Sequence, residues 1–87
     1  MTKQKLGRNI VVLTAGFVYV GDVTIEGDLI VIEDAQCIRR WGTEHGLGQL
    51  AISGPTEATI LDAATTVRAP KTAVVHFILC TGWKVSA

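Results

Sequence analysis

The sequence predicts a small, mostly β domain, an antiparallel barrel or sandwich of about five to seven short strands. Three observations lead there. Phe17 to Ile25 alternates, with Phe17, Tyr19, Val23 and Ile25 on one face and Val18, Val20, Asp22 and Thr24 on the other, the period of a half-buried strand. Short apolar runs rich in β-branched residues recur along the chain, bounded by Gly, Pro and Asp turns. No segment sustains a 3.6-residue apolar period.

Taken in order, residues 1–8 are polar and are expected to fray, the remainder forming one domain over 1–87. Asn9 to Ala15 reads as a strand, broken by Gly16. Phe17 to Ile25 follows as the alternating strand. Glu26-Gly27-Asp28 is a hairpin turn, and Leu29 to Glu33 returns with apolar residues on both faces, which predicts a covered, central position. Asp34-Ala35-Gln36 reads as a short turn and Cys37 to Trp41 as the next strand, completing a β-meander. The Gly-rich loop Gly42 to Pro55 holds one helical fragment, Leu47 to Ile52, bracketed by glycines. Thr56 to Asp62 alternates weakly and reads as a strand. Ala63 to Pro70 is ambiguous, and Pro70-Lys71 is a turn signal. Thr72 to Thr81 is the longest apolar run, which predicts a strand that is central or lies at a subunit interface. Trp83 anchors the closing segment.

Composition narrows the function classes. The 87 residues are 48% hydrophobic and 18% charged, and a domain of this size buries only about 60% of its unfolded surface. So much apolar surface predicts a homo-oligomer. The apolar run Ile10 to Ala15 is too short for a membrane span or a signal segment. Eight basic residues balance eight acidic ones, which argues against binding to long nucleic acid and leaves room for a small anionic ligand. Cys37 and Cys80 lack metal-ligand spacing and read as reduced cysteines. No cofactor motif or zinc pattern is present.

The segment Ile38 to Gly54, IRRWGTEHGLGQLAISG, concentrates the candidate chemistry. Arg39 and Arg40 offer planar donor forks for phosphate or carboxylate. Trp41 offers a stacking face. On a regular strand Arg39 and Arg40 leave opposite faces, so they serve one pocket only where the strand ends, bulges or meets another subunit. The competing structural reading is a surface charge pair with Trp41 plugged into the core. Gly42, Thr43, His45, Gly46 and Gly48 complete the candidate ligand loop. Its backbone N–H groups suit an anion, and His45 suits a phosphate donor or an acid/base; plain turn punctuation competes with that reading. The loop matches neither the P-loop nor the dinucleotide fingerprint. His76 reads as a core or interface histidine, and Asp22, Asp28, Glu33 and Asp34 as solvated hairpin residues, with a divalent ion or acid/base work as the alternative. Ser53 and Ser86 lie in no nucleophile motif.

From about Val18 to Gly54 the chain resembles a family of small, uncharacterised proteins of tailed phages and prophages. The resemblance rests on Gly21, Gly27, Asp34-Ala35, Ile38, Trp41, Leu47, Gln49-Leu50-Ala51 and Gly54. Family members often carry arginines directly after the DA turn, whereas Gln36-Cys37 stand there in this chain and the basic pair is Arg39-Arg40. The resemblance implies a β-rich fold and a phage context in the host cytoplasm, and no activity. Together these readings favour a non-enzymatic, homo-oligomeric binding protein that sequesters a small phosphorylated ligand, most plausibly a cyclic or nucleotide immune second messenger, in an anti-defence role. The alternative is a phage structural or assembly accessory, or an inhibitor of a host protein, with no small-molecule ligand. A nucleotide-processing enzyme is the third reading.

Overall fold

The computed structural model describes residues 3–83. Six strands form one antiparallel sheet: β1 (Lys3–Leu13), β2 (Val18–Glu26), β3 (Leu29–Arg40), β4 (Ile60–Ala63), β5 (Val67–Pro70) and β6 (Val74–Leu79), with one helix, α1 (Leu47–Ser53). The order is β4-β3-β2-β1-β6, and β5 pairs with β3 beside β4. The first three strands form a meander, but not the expected one: Leu29 to Glu33 and Cys37 to Trp41 are parts of the single strand β3, and β1 supplies the third strand. No helix among the described residues is long and apolar enough to cross a membrane.

The sheet is rolled. Pro70 pairs with Leu29 and Val74 with Leu13, so residues 70 to 74 lead from one edge of the sheet to the other. Four strand spacings in a flat sheet span roughly 19 Å, and four residue steps reach at most about 14 Å. Only a curled sheet closes that gap. The roll stays open, because β6 forms no ladder with β4 or β5.

Each face of the sheet carries a core. One gathers Ile10, Val18, Val20 and Ile38 under Leu50 and Ala51 of α1 and Trp83. The other gathers Val11, Leu13, Val23, Ile30, Ile32, Ala35 and Ala69. In the first half of β2 the alternation thus separates two apolar layers, and in the second half it separates Val23, in the core, and Ile25, packed against it, from Asp22 and Thr24, which line a cleft. Ile30, Val31 and Ile32 are all buried, as the two-sided apolar pattern of Leu29 to Glu33 predicted, and Ile30 and Ile32 pack into the second core.

Four expectations need correction. Lys3 to Arg8 do not fray: β1 starts at Lys3 and pairs through Lys3↔Glu26, with Lys3 Nζ 3.8 Å from Glu26 Oε1, while Met1 and Thr2 lie outside the described residues. The free edge of β2 recruits these polar residues although they lack an apolar pattern. Asp34-Ala35-Gln36 is not a turn. β3 runs straight through it as a bulge, with Asp34 at φ 52° and Ala35 buried; aspartate tolerates that backbone region, so bulge and turn share their signal. Thr56 to Thr59 is not strand: β4 begins at Ile60, and the threonines before it make a turn. Finally, of the two places expected for Thr72 to Thr81, central or at a subunit interface, the central one is excluded: β6 is an edge strand, and it ends at Leu79.

α1 is fixed by the sheet more than by its own ends, since no side chain caps either terminus. Its last carbonyls are satisfied from elsewhere. The Thr81 and Gly82 N–H groups donate to the Ala51 carbonyl at 2.9 and 3.0 Å, and Gly54 N–H donates to Leu50 at 2.8 Å.

Candidate functional site

The segment from Ile38 onward forms the end of β3 and a loop leading into α1. β4 steps from Leu61 to Ile60 while β3 steps from Ile38 to Arg40, so Arg39 is the extra residue of a second bulge. Its guanidinium is committed to Asp62: Nε lies 2.8 Å from Oδ2, and Nη2 donates to Oδ1 at 3.3 Å. The pair is two-pronged but well exposed, and pairs of this kind contribute about 0.2–1 kcal/mol. Arg39 is therefore a surface charge that is already paired. Arg40 is exposed and makes no ion pair among the described residues.

Trp41 is 44% exposed, so it is not the core plug of the competing reading. The ring lies by Gly46, where a Cβ would stand 3.9 Å from Cζ3. Hydroxyls fix the strand exit beneath it. Thr59 Oγ1 donates to the Trp41 carbonyl and Thr56 Oγ1 to the Gly42 carbonyl, both at 2.6 Å. Thr56 N–H in turn donates to Thr59 Oγ1 at 2.9 Å. Gly42 has φ 65°, and a Cβ there would sit 2.3 Å from the Ala58 carbonyl carbon. Only glycine allows this contact between the two turns.

The rest of the loop is partly self-satisfied. Thr43 Oγ1 donates to the Gly46 carbonyl at 2.8 Å, and the His45 N–H donates to Gln49 Oε1 at 3.0 Å. His45 is exposed and Gly48 lies within α1 with open space around its Cα. The structure thus brings Trp41, Gly42, Thr43 and Gly46 together and leaves Gly48 on the outer face of the helix. Thr56 and Thr59, which set the geometry, were missed in the sequence. The signal was two hydroxyl residues three apart after Pro55, a turn-forming arrangement.

The remaining candidates lie elsewhere. Asp22, Glu33 and Asp34 meet Lys5 around a cleft of about 310 Å³ at the β3 bulge, while Asp28 sits exposed in the hairpin turn, its carbonyl accepting from Lys71 N–H at 2.8 Å. No three His, Cys, Asp or Glu residues converge as a metal site among the described residues. His76 is exposed on β6 and is not a core histidine. Arg8 stacks over Trp83 at 5.4 Å from the ring centroid, a cation–π contact that sequence spacing could not reveal. Burial pushes the Cys80 thiol above its ordinary value, while the Arg8 charge and a backbone hydrogen bond involving Ile10 pull it down. Cys37 and Cys80 are both free thiols. Ser86 lies outside the described residues.

Comparison with protein-family models, with curated proteins and with solved structures finds no match to this chain.

Proposed function

We propose that the protein acts by binding, as a self-associating module, with the Trp41 loop as its recognition site for a planar, phosphorylated ligand of the nucleotide class. The observation that carries this reading is an exposed indole on a strand exit pinned by two threonine hydroxyls, directly after an arginine with no ion pair among the described residues. An exposed aromatic face carried on a pinned backbone suits stacking by a base, and Arg40 supplies a donor fork for the phosphate. The indole stands open to solvent in the single chain, free to stack on a ligand. In the phage setting that the sequence resemblance implies, the ligand is a cyclic or nucleotide second messenger held in the host cytoplasm.

Calorimetric titration with a nucleotide panel tests this. Trp41→Ala should weaken binding by the stacking contribution, about 1–3 kcal/mol. Arg40→Ala should cost a charge-assisted contact, about 1.5–3 kcal/mol. Arg39→Ala should change affinity little, because Asp62 already holds that guanidinium. Equal losses at Arg39 and Arg40 would count against this division of roles.

A second reading has its own support. Phe17, Ile52, Val75 and Leu79 are each more than half exposed, apolar side chains available for contact with another protein. A structural accessory or host-protein inhibitor would use that surface and ignore every nucleotide.

A further inference from the structure

We infer that β6 is a self-pairing edge: two copies of the chain join through antiparallel β6–β6 contact, continuing the sheet from one subunit into the next. The inference uses the self-association part of the reading above and is independent of its ligand.

One hydrogen bond fixes which backbone groups face outward. Cys80 N–H donates to the Arg8 carbonyl at 3.0 Å, and the ladder continues with Ile78 opposite Ile10 and His76 opposite Val12. Bonded and non-bonded pairs alternate in an antiparallel ladder. Cys80, Ile78 and His76 therefore turn their N–H and C=O groups to β1, and Phe77 and Leu79 turn theirs away. The outer edge pairs with no strand among the described residues, and Leu79 is 59% exposed. At Val75 the register shifts, which ends the regular edge there.

An isologous contact must be complementary to itself. A two-fold axis at Ile78 satisfies that demand with the two outward residues alone. Phe77 then exchanges both of its backbone hydrogen bonds with the second copy's Leu79, and Leu79 with the second copy's Phe77. Their side chains fall on the face of Val11, where Phe77 already packs, so the apolar layer continues across the axis. On the opposite face Ile78 meets its own copy and His76 meets Cys80. No acidic or basic residue lies between Thr72 and Thr81 apart from His76, so no like charges oppose each other. Edge strands that avoid pairing carry Lys, Pro or inward charges, and β6 carries none of these. A second copy is the one partner certain to present this same strand. Two reciprocal residue pairs make a small contact beside the roughly 800 Å² per partner of a standard interface, so the dimer should dissociate on dilution.

Sedimentation equilibrium of the full chain over a concentration series tests this. The wild type should approach twice the 9.3 kDa chain mass. Leu79→Lys places a charge in the contact. Leu79→Pro removes a donor that makes no bond to β1, so the fold should survive, with an unchanged circular dichroism spectrum. Both variants should sediment as the 9.3 kDa monomer, while Ile52→Lys, on the outer side of α1, should retain the wild-type mass. Folded Leu79 variants that keep the wild-type mass would overturn the β6 interface and leave self-association standing. A wild type that is monomeric at every concentration would overturn both.

Discussion

Leu50→Ala should lower stability by about 2–5 kcal/mol, the range for truncating a fully buried aliphatic side chain. Leu50 is 0% exposed and is the largest side chain that α1 buries against Ile10, Val18, Val20 and Ile38. α1 has only seven residues and no side-chain cap, and an isolated helix of that length does not persist in water. Its packing on the sheet is therefore what holds it. A domain of this length has about 4–13 kcal/mol of total stability, at about 0.05–0.15 kcal/mol per residue, so the loss is a substantial fraction of the total. Urea denaturation should show a lower midpoint with an unchanged slope. Ile52→Ala, on the same helix but 65% exposed, should stay within about 0.5 kcal/mol of the wild type. Equal effects at the two positions would mean that α1 is not docked through Leu50.

Gly42→Ala should be nearly as damaging, for a different reason. The new methyl would meet the backbone of Ala58 and Thr59 at 2.3 to 2.5 Å, and backbone gives way less readily than a side chain. The positive φ of 65° adds strain for any residue with a Cβ. Overpacking of this kind costs about 1–3 kcal/mol, and each 1 kcal/mol lowers the melting temperature by about 4–8 °C in a domain of this size. The nearby Gly48 predicts the opposite sign. It lies in α1 without a positive φ, and a methyl added there would meet nothing within 4 Å. Gly48→Ala should therefore stabilise by about 0.5–1 kcal/mol through helix propensity. Thermal unfolding of the two variants checks both signs at once. If Gly42→Ala melts with the wild type, the clasp between the Trp41 exit and the Thr56–Thr59 turn does not exist as described.

Much of the fold was legible because local pattern and tertiary role coincide. The alternation of Phe17 to Ile25 and the Glu26-Gly27-Asp28 turn specify the β2–β3 hairpin without help from distant residues. Where the two diverge, the pattern misleads. Lys3 to Arg8 has no apolar period, and the neighbouring strand edge orders it. Asp34 carries the residue preference shared by turns and bulges, so composition there cannot tell a reversal from a kink. β6 looks central because both faces are apolar, yet apolarity reports the wish for cover and not the number of neighbouring strands. The candidate site was legible only as a set of residue types. The Arg39–Asp62 pair spans 23 residues, and the Thr59 hydrogen bond to Trp41 spans 18. Both depend on the β3–β4 register, which the sequence does not encode locally. That register decides which arginine is committed and which way the indole faces.

The proposal of a self-associating binder whose Trp41 loop holds a nucleotide intact is tested by native mass spectrometry of the wild type and Trp41→Ala, alone and with a panel of cyclic and linear nucleotides. The wild-type oligomer should gain whole, unmodified nucleotide masses, and a Trp41→Ala oligomer of equal mass should not. A wild type indifferent to the entire panel, or one that converts the nucleotide, would contradict the proposal.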